Sequence, residues 1–134
     1  MRGCARIRAA ASTVRLLALV IKRMTREDPA NFQWLEPWYF SESSGAASEL
    51  IKEIGPGHPL FGHDAIAVGR RDDRDDVLFR LPSEPSKFAV LHLTWSGTRE
   101  LDPKWPIAKL YSTFGDWVER CMKPDHFEFV ADNS

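Results

Sequence analysis

The chain is short of cysteine, of net charge and of long apolar runs, and each shortage removes a class of protein. Only two of the 134 residues are cysteine, Cys4 and Cys121, and they form no CxxC pair. They supply neither a disulfide framework nor an unaided tetrahedral zinc site, a usage that suits a reducing compartment such as the cytoplasm. Eighteen Lys and Arg stand against 19 Asp and Glu, so electrostatics gives no ground to expect nucleic acid or an anionic membrane as a partner. No apolar run approaches the roughly 20 residues that cross a bilayer. Internal repeats and low-complexity tracts are lacking. So are a GxxxxGK[ST] phosphate loop, an HExxH pair and a GxSxG elbow.

What is abundant is aromatic material: five Trp and eight Phe in a chain that is 43% hydrophobic. This is enough for a packed core, and the length fits one domain. The charges are unevenly placed. Residues 1–26 hold Arg2, Arg6, Arg8, Arg15, Lys22, Arg23 and Arg26 without one acid, so the remainder is net acidic. Ala, Leu and Arg make residues 1–23 a basic helical extension by propensity. Three readings compete for it: a packing helix, an organellar targeting peptide, or an upstream frame with translation starting at Met24. A single α+β domain is expected over residues 24–134.

Within that domain, Ala46–Ile54 reads as a short amphipathic helix with Leu50, Ile51 and Ile54 on one face and Glu49, Lys52 and Glu53 on the other. Ser44 or Ser48 is the expected cap, and Gly55-Pro56-Gly57 stops the helix. Strands are expected over Asp64–Arg71, Asp76–Leu81 and Lys87–Trp95, which are rich in β-branched and aromatic residues. The links between them are short: a charged tip, Arg71-Asp72-Asp73-Arg74-Asp75-Asp76, and a proline-bearing turn, Leu81–Ser86. Short links demand antiparallel pairing. Ile107–Tyr111 adds a fourth, edge strand, and a helix capped by Ser112 or Thr113 runs to Met122, closed by Pro124. His126–Val130 is expected as a last strand or a frayed tail. The fold class is therefore α+β, a three- or four-stranded antiparallel meander with helices packed on one face.

His58 and His63 sit in a Gly/Pro-rich loop without a third ligand, so no metal site is expected. The four aspartates of the charged tip lack the glycine and terminal glutamate of a calcium loop. Ser96 is a turn serine, and Cys121 on an apolar stripe is an inert buried thiol. Alternation along the third strand places His92 and Thr94 on one sheet face with Arg80 of the neighbouring strand, near an irregular segment carrying Trp105. Arg80, His92, Thr94 and Trp105 are the expected ligand-binding residues. An arginine, a titratable histidine and an aromatic wall suit a small anionic group or a peptide carboxylate.

The runs Gly57-His58-Pro59-Leu60, Asp75-Asp76-Val77-Leu78-Phe79, His92-Leu93-Thr94-Trp95-Ser96-Gly97 and Trp105-Pro106 resemble a family of short, uncharacterised bacterial proteins. The resemblance spans about Leu50 to Met122. It implies a bacterial, cytosolic, single-domain protein and carries over no catalytic residue. Two functional expectations follow. With no catalytic constellation or cofactor motif, the leading one is a non-enzymatic binding or interaction module of inhibitory or immunity type, with another protein as partner and neither nucleic acid nor membrane. The alternative is a small-ligand-binding domain or enzyme using the Arg80/His92/Thr94 face.

Overall fold

A computed structural model describes residues 28–83 and 87–133. The expectations for residues 1–23 and for a start at Met24 lie outside them, as do residues 84–86 of the turn after Leu81. The chain divides into two units, Met1–Phe32 and Gln33–Ser134. The described part of the first holds one 3₁₀ turn, Pro29–Asn31, where the Asp28 carboxylate accepts the Ala30 N–H at 3.1 Å.

The second unit is built on five strands: β1 (Trp38–Phe40), β2 (Ile66–Arg71), β3 (Asp76–Arg80), β4 (Phe88–His92) and β5 (Lys109–Tyr111). They lie in sequence order and every neighbouring pair is antiparallel. The α+β class and the meander stand, but the sheet has one or two strands more than expected. The extra one, β1, is three residues long and lies inside the aromatic block, too short to display an alternation. β4 ends at His92, short of the expected Trp95.

Helix α1 (Ser44–Glu53) starts where the Ser43 hydroxyl accepts the Ala46 N–H at 3.1 Å, one residue before the expected cap. It packs on the sheet face formed by Ala67, Val77, Phe79, Leu81, Ala89, Leu91 and Leu93, against which Ala46, Leu50, Ile54 and Leu60 are buried. Its orientation differs from the expected one. Ile51 is 72% exposed, whereas Glu49 and Glu53 are buried. The helix is thus rotated so that Ala46, Glu49, Leu50 and Glu53 share the inward stripe.

The opposite face is covered too, so the helices do not all pack on one side. Helix α2 (Phe114–Trp117), capped by Thr113, continues through a π-helical segment (Val118–Met122) into α3 (Lys123–Asp132). Phe114 meets Phe88 at 5.6 Å between ring centroids, and Trp117 meets Trp34 at 5.4 Å and Trp38 edge-on at 5.0 Å. Offset and edge-to-face contacts of this kind add to the area buried by each ring. Trp34 passes so close over β2 that a Cβ on Gly69 would lie 2.5 Å from its ring.

The tail is helical, neither strand nor fray, and Pro124 does not close the preceding helix. It stands in the first turn of α3, where its missing N–H costs little, after a wide π turn that reopens the hydrogen-bond ladder. Polar bonds then pin α3 to β1, to the end of β2 and to the segment before β1. The Trp38 Nε1–H donates to Asp125 Oδ2 at 2.8 Å, the buried Arg71 reaches the same oxygen at 3.2 Å, and His126 Nδ1 donates to the Glu36 carbonyl at 2.7 Å. Among the described residues no helix is long and apolar enough to cross a membrane.

Candidate functional site

The pairing register decides which polar side chains meet. On the face opposite α1, Phe40, Gly69, Leu78, Val90 and Lys109 form one row across the sheet. One step along the strands, Asp76 pairs directly with His92. Their side chains bond, Nδ1 to Oδ1, at 2.8 Å. Because an ionised carboxylate only accepts, Nδ1 of the neutral ring carries the hydrogen and Nε2 keeps its lone pair. The histidine is exposed and Asp76 is half-buried, so the pair orients the imidazole more than it stabilises the fold.

Beside this pair lies a cleft of about 470 Å³. Val90 forms part of its floor; Thr94 and Glu100 form one wall, Trp105, Pro106 and Ile107 another, and Arg74 and Lys109 contribute two cations. Thr94 Oγ1 lies 3.2 Å from both Ser96 Oγ and Glu100 Oε2. The size falls in the range of small-molecule sites, and so does the pairing of an apolar wall with a few convergent polar groups.

Three of the four residues expected from the sequence, His92, Thr94 and Trp105, therefore line one cleft. Arg80 does not. It shares their sheet face but pairs with Phe88 at the other end of β3, four residues from Asp76 or about 13 Å along a strand. Alternation fixes the face of a side chain but not its row, and that is why the expectation placed Arg80 too close. Arg74, from the charged tip, supplies the guanidinium of the cleft instead.

Both walls are held from behind. His58 is buried; its Nε2 donates to the Pro106 carbonyl at 2.6 Å while its Nδ1 accepts the Leu60 N–H at 3.0 Å, which fixes the neutral tautomer. The Gly57–Leu60 loop thus anchors the Trp105-Pro106 wall. The Thr94 wall is anchored by α1, where Glu53 accepts the N–H groups of Thr94 and Trp95 and Glu49 accepts that of Gly97. Sequence reasoning missed this, although Glu49 and Glu53 sit one turn apart on the stripe of Ala46 and Leu50. Asp76 was missed as well, although it opens β3 and the β3–β4 hairpin, closed by the turn after Leu81, sets it opposite His92. Glu100 and Lys109 carried no signal.

His63 is exposed and lines a separate apolar groove between α1 and β2, with Leu50, Ile51 and Ile66. Among the described residues no three His, Cys, Asp or Glu side chains gather as a metal set. In the charged tip Asp73 grips Arg71 through two bonds of 2.8 and 2.9 Å, which hold the Asp73 carboxyl below its usual range. Burial and the nearby Asp125 push the Cys121 thiol up to about 12, so it is protonated and unreactive at neutral pH. Comparison of the chain with known protein families, with curated proteins and with solved structures returns no match.

Proposed function

We propose that this protein is a small-ligand-binding domain and that its ligand, a compact molecule with one anionic group on a flat apolar body, sits in the His92 cleft. The observation that carries this reading is the convergence there of an oriented imidazole, two cations and an aromatic wall. Arg74 and Lys109 supply charge for a carboxylate or phosphate, His92 adds a directional bond, and Trp105 and Ile107 supply the apolar contact. The bacterial, cytosolic setting implied by the motif resemblance belongs to the same proposal. Benzoate and phenyl phosphate are suitable probes, followed through amide and indole NMR signals. Binding is expected to move the signals of Asp76, His92, Thr94 and the Trp105 indole together, and Lys109→Ala to weaken it. Probes that leave those signals still, or that move only residues outside the cleft, would remove the reading.

One observation favours the second reading, an interaction module that docks on another protein. Helix α3 buries none of its ten residues, and it presents Phe127 (70% exposed) and Val130 (47% exposed) one turn apart. Exposed apolar pairs on a helix are a common docking element. A partner recognised through this helix would lose affinity on Phe127→Ser and be indifferent to Lys109→Ala.

A further inference from the structure

Two carboxyl groups lie behind the cleft in an arrangement that composition alone does not require. Glu53 is fully buried and Glu49 nearly so, one turn apart on α1. Glu53 Oε1 accepts the Thr94 N–H at 3.0 Å and Oε2 the Trp95 N–H at 2.8 Å, while Glu49 Oε2 accepts the Gly97 N–H at 2.8 Å. The Glu100 N–H closes on the main-chain oxygen of Glu53 at 3.0 Å. The loop aims these amides at the helix because Trp95 and Gly97 adopt left-handed backbone angles, φ 56° and 74°. For Trp95 that geometry is costly and must be held by its surroundings. Successive amides turned to one side make an anion-binding concavity.

The two carboxyl groups therefore stand side by side in a buried site, one turn apart on the helix and reaching amides two residues apart in one loop. Two like charges there repel, and one proton kept between the carboxyls relieves the repulsion. Burial and the neighbouring Glu49 carboxyl hold Glu53 above the usual carboxylate range, and Glu53 and the Gly97 amide hold Glu49 below it. Of the charged groups around the pair, Lys52 acts on Glu49 from the same helix. Arg70 of β2 lies over the Trp95 ring at 5.3 Å, Arg99 packs against Gly55, and Glu100 turns its carboxylate to Thr94 Oγ1.

The geometry points to a proton-dependent clamp: one proton shared by Glu49 and Glu53 holds the Thr94–Glu100 loop, and with it one wall of the His92 cleft, in position. Glu49 and Glu53 are positioning residues in this device and touch no ligand. Loss of the shared proton places two like charges side by side in a buried site, and the available relief is withdrawal of the helix stripe from the loop. Thr94 and Glu100 then leave the cleft wall. The consequence for binding rests on the ligand-binding reading above; the clamp itself does not.

The test is a pH titration of the full chain followed by amide NMR, without and with benzoate. The Thr94, Trp95, Gly97 and Glu100 amides are expected to shift together at one midpoint. That midpoint should vanish in Glu53→Gln, whose carboxamide can donate to Glu49 and still accept one of the two loop amides. Glu49→Gln serves as the second variant should Glu53→Gln not fold. Benzoate affinity is expected to fall about fivefold or more above the midpoint, within the usual span of coupling between sites. A midpoint that persists in the folded variants overturns the clamp, as does a Glu100 amide that does not follow the other three. Equal benzoate affinity on both sides of the midpoint overturns its effect on the cleft while leaving the binding reading in place. Absence of benzoate binding at every pH, with the midpoint lost in the variant, does the reverse.

Discussion

His58 carries more of the site than its place in a glycine-proline loop suggests. Both ring nitrogens are engaged inside the protein, one on the Pro106 carbonyl and one on the Leu60 amide. His58→Ala strands a buried carbonyl and a buried amide, at a cost of about 2–3 kcal/mol. Urea unfolding should register that loss as a lower midpoint with an unchanged slope. The Trp105 indole signal should shift with it while those of Trp38 and Trp117 stay in place. The sequence places His58 in a glycine-proline loop, which is where it stands, but the partner's address lies 48 residues away and only the fold supplies it. His92, Thr94 and Trp105 were found by alternation along one strand and by a neighbouring irregular segment. Arg80 went astray because a row along the strand depends on register, and register is a property of two strands at once.

At the scale of elements, β2 is the most constrained piece of the sheet. It carries a bulge between Ala67 and Gly69, and at Gly69 the Trp34 ring occupies the space of a side chain. Gly69→Ala is expected to destabilise by about 1–3 kcal/mol through overpacking, measured as a drop in the urea midpoint. Trp34→Leu in the same chain should return part of the loss, because the two changes share one contact. The strands β2, β3 and β4 were legible from β-branched and aromatic content and from the shortness of their links. α1 was legible as a helix but not in its rotation. Binary patterning assigns glutamate to water, and here two glutamates take core positions because loop amides pair with them. The last helix escaped detection past Pro124, since a proline there normally ends a helix and only the π turn before it removes the conflict.

For the whole molecule these carboxylates set opposing trends in stability with pH. Asp73 is held below its ordinary value by Arg71, and Asp116 by the Ser112 amide; Glu49 is lowered by Glu53 and the Gly97 amide. The folded state prefers all three ionised. Their contribution is present above the ordinary carboxylate range, near pH 4, and is lost as pH falls through the lowered values. Glu53 has the opposite sign. Its raised value means the folded state prefers it protonated, so its contribution is complete below the ordinary range and is lost as pH rises through the raised value. Scanning calorimetry should therefore find the melting temperature falling on both sides of a maximum. Asp73→Asn is expected to flatten the acid side and Glu53→Gln the other. A maximum unchanged in both variants would show that other groups govern the profile.

The aromatic layer that joins the last helix to the first strand also bears on time. The central strands pair with their immediate neighbours in the chain, whereas the Trp38–Asp125 bond spans 87 residues and the His126–Glu36 bond 90. Closing so long a segment costs more chain entropy than closing a hairpin, so the hairpins are expected to form in the folding transition state and the Trp34–Trp38–Trp117 layer after it. Interactions made after the barrier scarcely alter how fast a chain folds; they determine how fast it comes apart. Trp117→Phe should accordingly raise the unfolding rate and leave the folding rate nearly untouched, which makes the layer a brake on escape from the native state.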